Sequence, residues 1–207
     1  MTAAQRERAD LSALLGELGP EAPTLCGGWS ARDLLAHLVL RETRLDAAPG
    51  ILVPALAGYT KRVQAQLAAR DWPDLLEQFR SGPPLLSPYR LADAQVNAME
   101  FFVHHEDVRR AQADWQPRVL PPEAQDGLWR RLRLISRIGY RQSPVGVVLQ
   151  REDGGASMTA KRGPRTVTLA AQPGELVLHA FGRDAVRVET RGEAEDVAAV
   201  LSLERSF

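Results

Sequence analysis

The chain has 207 residues, 44% of them hydrophobic and 25% charged, and its 26 basic and 26 acidic side chains cancel. That balance excludes a largely disordered chain and gives no broad electropositive field, so a small molecule, not nucleic acid, is the expected partner. With Cys26 as the sole cysteine, an intramolecular disulfide and a thiolate cluster for zinc or iron–sulfur are excluded.

The N-terminal stretch "MTAAQRERADLSALLGELG" scatters its charges through an amphipathic helix and has no apolar block of the signal-peptide kind. No run of about eighteen apolar residues occurs, so no membrane partner is expected and a cytoplasmic location is. After the loop "GPEAPTLCGGW", the stretch "SARDLLAHLVLRETRLD" reads as a helix, with Ser30 as N-cap and Asp33 as the acid three residues on. A linker punctuated by Pro49 and Pro54 leads to the helix "YTKRVQAQLAAR", and Asp71 starts a short helix that Gly82 ends. A long helix is predicted from Ser87 and Pro88 through "NAMEFFVHHEDVRRAQ", and another from Pro122 to about Tyr140. Beyond Ser143 the texture changes to short β-prone runs. "EDGG" predicts a hairpin and "KRGP" precedes a third strand. "QPGELVLHAFGR" reads as a helix, "DAVRVET" as a strand and "GEAEDVAAVLSL" as a closing helix. The expected fold class is therefore α+β: an antiparallel four-helix-type bundle over 1–142, then a small α+β domain over 143–207.

The four histidines can be placed one by one. At about 100° per residue, Asn97, Glu100, Phe101, His104 and Val108 share one sector of their helix, whereas His105 points elsewhere and reads as structural. Glu100 and His104 stand at i and i+4, a spacing that suits either two ligands to one ion or a plain helical pair. His37, at the flank of the stripe Leu34, Leu35, Leu38 and Leu45, faces a neighbouring helix and is the candidate for a third ligand, with a packing histidine as the alternative. Two imidazoles and a carboxylate suit zinc, nickel or ferrous iron, and leave positions open for water or substrate. His179 reads as core.

Further residues carry two readings each. Asp33 either orients His37 or closes a capping box. Arg41 either binds a substrate anion or forms a salt bridge. Asn97 faces the same sector as Glu100 and either touches a metal-bound water or packs. Asp107 either supports the ligands or pairs with an arginine. Arg183, after Gly182 at a helix end, either caps carbonyls or meets a substrate carboxylate. Cys26 reads as a small buried hydrophobe and Trp29 as a hydrophobic staple. The end of the long helix, with Glu106 and Asp107 beside Arg109 and Arg110, reads as a solvated mixed-charge surface.

"TLCGGWSARDLLAHLVLRE" followed downstream by "NAMEFFVHHEDVRRA" resembles the DinB/YfiT-like metalloprotein superfamily, in its branch related to mycothiol-dependent maleylpyruvate isomerase. The tail, through "GELVLHAFGRDAVRVETRGE", resembles the sterol-carrier-like C-terminal domain of that branch. The resemblance implies a DinB-like bundle and a divalent metal, usually zinc, held by His37, Glu100 and His104. It also implies a low-molecular-weight thiol cofactor of the mycothiol or bacillithiol type and a small electrophilic substrate, with transfer or isomerisation as the reaction. A non-catalytic metal-binding module and a metal-dependent hydrolase are the alternatives. Oligomeric state is not legible from the sequence.

Overall fold

A computed structural model of the chain describes residues 1–83, 88–153 and 155–205, with backbone alone over 88–96. The expected helix start at Ser87 and part of the "EDGG" turn lie outside the described residues. The chain divides into two compact units, Met1–Trp115 and Gln116–Phe207.

The first unit holds α1 (Ala3–Leu18), α2 (Ala31–Thr43), α3 (Ala57–Ala68), α4 (Trp72–Ser81) and α5 (Pro88–Arg110), with two short 3-10 turns, Ala48–Ile51 and Pro54–Leu56, in the proline-punctuated linker. Four of these helices share one core: Leu11 and Leu15 of α1, Leu34, Leu35 and Leu38 of α2, Leu75 and Phe79 of α4, and Phe101 and Val108 of α5 are all buried there. Burying each such side chain contributes about 1.5–3 kcal/mol, which outweighs the weak intrinsic propensity of short helices. The fifth helix, α3, packs on α2, with Val63 against Leu40 and Ala47 in a smaller cluster. Leu45 falls past the end of α2 and is half exposed, so the apolar stripe of that helix stops short of it.

A buried ion pair crosses this core. The Arg8 guanidinium of α1 grips both carboxylate oxygens of Glu42 on α2 and donates to the Phe79 carbonyl of α4 at 2.9 Å. Its Cζ lies 5.0 Å from the Phe79 ring centre and 4.7 Å from that of Phe101. One guanidinium thus joins four helices, and its charge is met by carboxylate, carbonyl and two aromatic faces.

The second unit begins with α6 (Pro122–Gly139), followed by β1 (Gly146–Arg151), β2 (Ser157–Lys161), β3 (Thr166–Ala171), α7 (Pro173–Ala180), β4 (Glu189–Arg191) and α8 (Ala194–Leu201). The sheet runs β2-β1-β3-β4, with β1 and β3 parallel and the outer pairs antiparallel. The compact-unit boundary at 115/116 differs from the expected one after residue 142 because α6 packs against α7 and β2. Gly139 permits that packing, since a Cβ there would stand 2.5 Å from the Ala180 carbonyl oxygen. Helical periodicity shows that a segment buries a face, but not which partner it meets.

"DAVRVET" forms a strand only over Glu189–Arg191. Upstream, the Asp184 carboxylate takes Arg205 at 2.6 Å, Val186 N–H turns back to the Asp184 carbonyl, and Arg187 N–H donates to Glu175 at 2.7 Å. These contacts claim the backbone and side-chain groups that a longer ladder needs. Among the described residues, no helix is long and apolar enough to cross a membrane.

To pass from β2 at one edge to β3 on the far side of β1, the link must cross the start of β1. There Gly163 lies so close that a Cβ would be 2.4 Å from the Gly146 backbone nitrogen. Gly163→Ala is expected to destabilise the protein by about 1–3 kcal/mol through this backbone clash, read as a lower urea midpoint, whereas Gly155→Ala meets no atom within 4 Å and loses only through its positive φ.

In α7, His179 is buried beneath Tyr140, whose hydroxyl lies 2.6 Å from Nδ1, while Nε2 has no partner. Burial first, and then the Arg205 charge, lower His179 to about 3. An unfolded-chain histidine titrates near about 6.5, so below that value the unfolded state takes up a proton that the folded state refuses. Stability is therefore full above about pH 6.5 and falls with acidification at up to about 1.4 kcal/mol per pH unit until the folded value is reached. Urea midpoints at about pH 7 and about pH 5 should show a smaller acid loss in His179→Gln than in wild type, even if the variant starts lower.

Candidate metal centre

The centre is built where α2, the loop before it and the second half of α5 meet. α2 starts with a closed capping box: Ser30 Oγ accepts from Asp33 N–H, and Asp33 Oδ2 accepts from Ser30 N–H at 3.0 Å and from the Ser30 hydroxyl at 2.8 Å. The Asp33 carboxylate therefore serves the cap and is not aimed at His37. Such a box holds the first turn by about 1 kcal/mol and fixes the rotation at which His37, one turn on, enters the interior. The preceding loop is tied at several points. Thr24 Oγ1 donates to the Trp29 carbonyl at 2.8 Å, Gly28 supplies the left-handed turn at φ 77°, and Leu25 N–H donates to the Asp107 carbonyl at 3.0 Å. Trp29 packs against the core and sets its ring 5.1 Å from that of His37, which is consistent with a staple at this helix entry.

On α5, Glu100, His104 and Asp107 follow one another along one face. Glu100 Oε1 lies 3.6 Å from His37 Nε2 and 3.3 Å from His104 Nε2, and one donor atom from each of the three residues falls within 4.8 Å of the others. Ligands on a tetrahedral zinc with bonds of about 2.0–2.1 Å stand about 3.3 Å apart, so these separations are on the scale of a shared ion. The structure thus brings together His37, Glu100 and His104. His104 Nδ1 meets Asp107 Oδ2 at 2.9 Å, with the Asp107 side chain fully buried. This contact, a carboxylate on the far ring nitrogen, places the Nδ1 proton against Asp107 and turns the Nε2 lone pair toward Glu100 when the ring is neutral.

The electrostatics suit cation binding. Burial, the His104 charge and Arg41 push His37 below the ordinary histidine range, keeping its ring neutral against the pull of Glu100. Burial alone would raise the Glu100 carboxyl, but hydrogen bonds from His104 and His37, with the charges of His104 and Arg41, hold it well below the usual carboxylate range. His104 is raised well above its ordinary value despite burial, through hydrogen bonds with Asp107, Cys26 and Glu100. Two anionic oxygens therefore flank one ring, and an ion on Nε2 would take over the charge that the ring proton otherwise supplies.

The remaining expected residues separate into neighbours and bystanders. Arg41 places Nε 3.4 Å from Glu100 Oε1 and Nη1 3.4 Å from Asn97 Oδ1, so its charge is paired at the rim of the site. Asn97 also donates to Glu42 Oε1 at 3.1 Å, which turns it into a link to the buried ion pair. His105 pairs with Glu7 of α1 at 2.9 Å, away from the centre. Arg183, in the second unit, donates to the Phe181 carbonyl at 2.7 Å and caps the end of α7.

Two expectations are corrected. The end of α5 is not solvated: Glu106, Asp107 and Arg110 are buried, with Arg110 bonded to Glu106 at 2.6 Å and stacked 4.6 Å from the Trp115 ring centre. Trp115 and the loop at Leu25 cover charges that a bare helix would leave in water. Cys26 is more than a small hydrophobe. Its thiol donates to Asp107 Oδ2 at 3.1 Å and lies 3.6 Å from His104 Nδ1, giving a second group of metal-capable atoms, Cys26, His104 and Asp107. Sequence spacing carried no sign of this, because the loop and α5 meet only through the fold.

No protein-family model matches the sequence, and comparison with curated proteins finds no match. Among solved structures, the crystal structure of the mycothiol-dependent maleylpyruvate isomerase is similar over 93% of this chain and 92% of that one, with a TM-score of 0.56 at 16% identity. A histidine-to-alanine mutant of that isomerase is similar over the same shares, with a TM-score of 0.53 at 15% identity. The chain has the fold of these structures along nearly its whole length, as the resemblance carried by the "TLCGGWS" and "EFFVHH" stretches implies.

Proposed function

We propose that the protein is a divalent-metal-dependent enzyme that uses a low-molecular-weight thiol to transfer or isomerise a small electrophilic substrate. The observation that carries this reading is the convergence of His37 Nε2, Glu100 Oε1 and His104 Nε2 within 4.8 Å of one another at a partly exposed point of the bundle. The alternative donor group is less suited to turnover. Asp107 is fully buried and already accepts the Cys26 thiol, whereas the Glu100 side chain is 25% exposed and leaves an approach from solvent.

In this reading His37, Glu100 and His104 hold the ion, with zinc the first choice for two imidazoles and a carboxylate. A bound divalent ion with an open position supplies a thiolate at neutral pH and a Lewis acid beside the electrophile. The chain's own residues set the conditions for it. Asp107 holds the His104 proton on Nδ1, the Trp29 ring flanks His37, and Arg41 offers a cation at the rim for an anionic substrate group while steadying the Glu100 carboxylate. The thiol cofactor, of the mycothiol or bacillithiol type, is inferred from the mycothiol dependence of the isomerase whose fold the chain shares.

Metal analysis of protein purified without chelator is expected to give one zinc per chain, and His37→Ala is expected to lose it. Calorimetry with mycothiol should detect binding to wild type and none to His37→Ala. Cys26→Ala separates the two donor groups: retained metal supports His37, Glu100 and His104, whereas loss of metal in this variant alone would move the ion to the Cys26 side. Wild type without stoichiometric metal sinks the proposal.

Asp107→Asn preserves the size of the side chain but replaces an ionised acceptor by an amide. Metal affinity, measured by competition with a chromogenic chelator, is expected to fall about 10- to 100-fold, the usual cost of losing the partner on the far nitrogen of a ligand histidine. Unchanged affinity would show that Asp107 plays no part in positioning the ring.

A further inference from the structure

The second unit contains a cavity of about 610 Å³ between α6 and the edge strand β2, a volume within the range of small-molecule sites. Its lining is chemically one-sided. Arg133 and Arg137 stand one turn apart on α6, Arg162 follows β2 across the groove, and no acidic residue lines it. Trp129, one turn before Arg133, and Met158 contribute the apolar part of the wall. Ser157 and Thr159 add hydroxyls from β2.

The other cations nearby have employment. Arg151 stacks over the Trp129 ring at 5.9 Å while bonded to Asp126 and Asp153, Lys161 donates to the Arg141 and Ser143 carbonyls, and Arg165 pairs with Asp196 at 2.9 Å. Among the described residues, the guanidinium groups of Arg133, Arg137 and Arg162 have no ion-pair or hydrogen-bond partner. Three like charges around one cavity repel each other, whereas Arg141, Arg151, Arg165 and Arg205 of the same unit are matched to carboxylates or carbonyls. A set left unmatched around an indole is suited to an anion that brings its own acceptors. Guanidinium forks take phosphate or carboxylate oxygens in pairs, and the indole offers a face to a flat or apolar skeleton.

We propose that this groove binds a small organic polyanion, with two or more phosphate or carboxylate groups on a flat or apolar frame. It shares no residue with the candidate metal centre, all of whose residues lie in the first unit. Its limited volume and three cations fit a compact ligand better than a nucleic-acid strand, which needs a continuous basic track.

The test is calorimetry on the full chain with two probes, adenosine 5′-diphosphate and benzene-1,3,5-tricarboxylate, with adenosine as the uncharged control and a single-stranded oligonucleotide as the polymeric one. Saturable binding of either anion, at least about tenfold tighter than adenosine and weakened by salt, is expected. The double variant Arg133→Gln/Arg137→Gln should lose about tenfold or more in affinity, and Arg162→Gln, on the opposite wall, should lose affinity by itself. Arg130→Gln, outside the groove, should bind as wild type, and so should His37→Ala, which separates this site from the metal reading. Thermal unfolding of each variant checks that it is folded. Binding of the diphosphate alone assigns a phosphate ligand, and binding of the tricarboxylate alone a carboxylate. No saturable binding of either anion, equal binding by Arg162→Gln and wild type, or tighter binding of a single-stranded oligonucleotide would each overturn the proposal.

Discussion

One imidazole ring organises the centre of the first unit. His104 is held at Nδ1 by Asp107 and faces Glu100 with Nε2, and all three residues belong to one helix at the spacing i, i+4, i+7. That spacing keeps them on one face over two turns, so the helix backbone itself fixes the relative positions of a carboxylate, a ring and a second carboxylate. Only His37 must be brought from elsewhere. Its placement depends on the rotation of α2, and that is why the capping box at Ser30 and Asp33 and the tied loop through Trp29 matter to the chemistry as well as to stability. Holding these groups before any ligand arrives removes an ordering cost that binding would otherwise have to meet.

The same centre is braced from the interior by a chain of polar contacts. Arg8 meets Glu42, Glu42 accepts from Asn97, Asn97 accepts from Arg41, and Arg41 reaches Glu100. Each member is a charge or amide inside a helical core, where an unpaired group is expensive. Removing one partner from a buried ion pair costs about 3–5 kcal/mol, although the intact pair is worth far less against an apolar replacement. The network therefore adds little to total stability but penalises any slippage of α5 against α2 that would part its members. Specific placement of Glu100 beside His37 is the useful product of that penalty.

Much of this was legible in the sequence because it depends on local periodicity. Ser30 and Asp33 marked the helix start, the wheel separated His104 from His105, and the change of texture beyond Ser143 marked the sheet. What escaped depends on contacts between segments far apart in the chain. Cys26 lies 78 positions from His104, and no spacing rule links them. The buried charges at Asp107 and Arg110 looked solvated because the loop at Leu25 and Cys26, which meets Asp107, and Trp115, which meets Arg110, are invisible to a helical wheel. "DAVRVET" alternates as a strand should, yet side chains from α7 and the C-terminal segment capture its groups first. α6 packs on α7 with Gly139 close against the Ala180 carbonyl, a pairing that its amphipathic pattern does not specify.

Charge illustrates why a whole-chain average conceals local chemistry. A net charge of zero argues correctly against a broad basic field. Yet 129–141 carries five arginines and no acid, and the link 161–165 adds three more basic residues without one. Electrostatic influence in physiological salt decays over about 8–10 Å, so a guanidinium responds to its immediate neighbours and hardly at all to acids on the far side of the protein. The balancing carboxylates are largely committed to their own pairs, as at Glu42, Glu106 and Asp107 in the first unit. Neutrality overall is therefore compatible with a buried cluster of carboxylates and histidines in one unit and a cationic groove in the other, because each is decided by the few residues within a screening length of it.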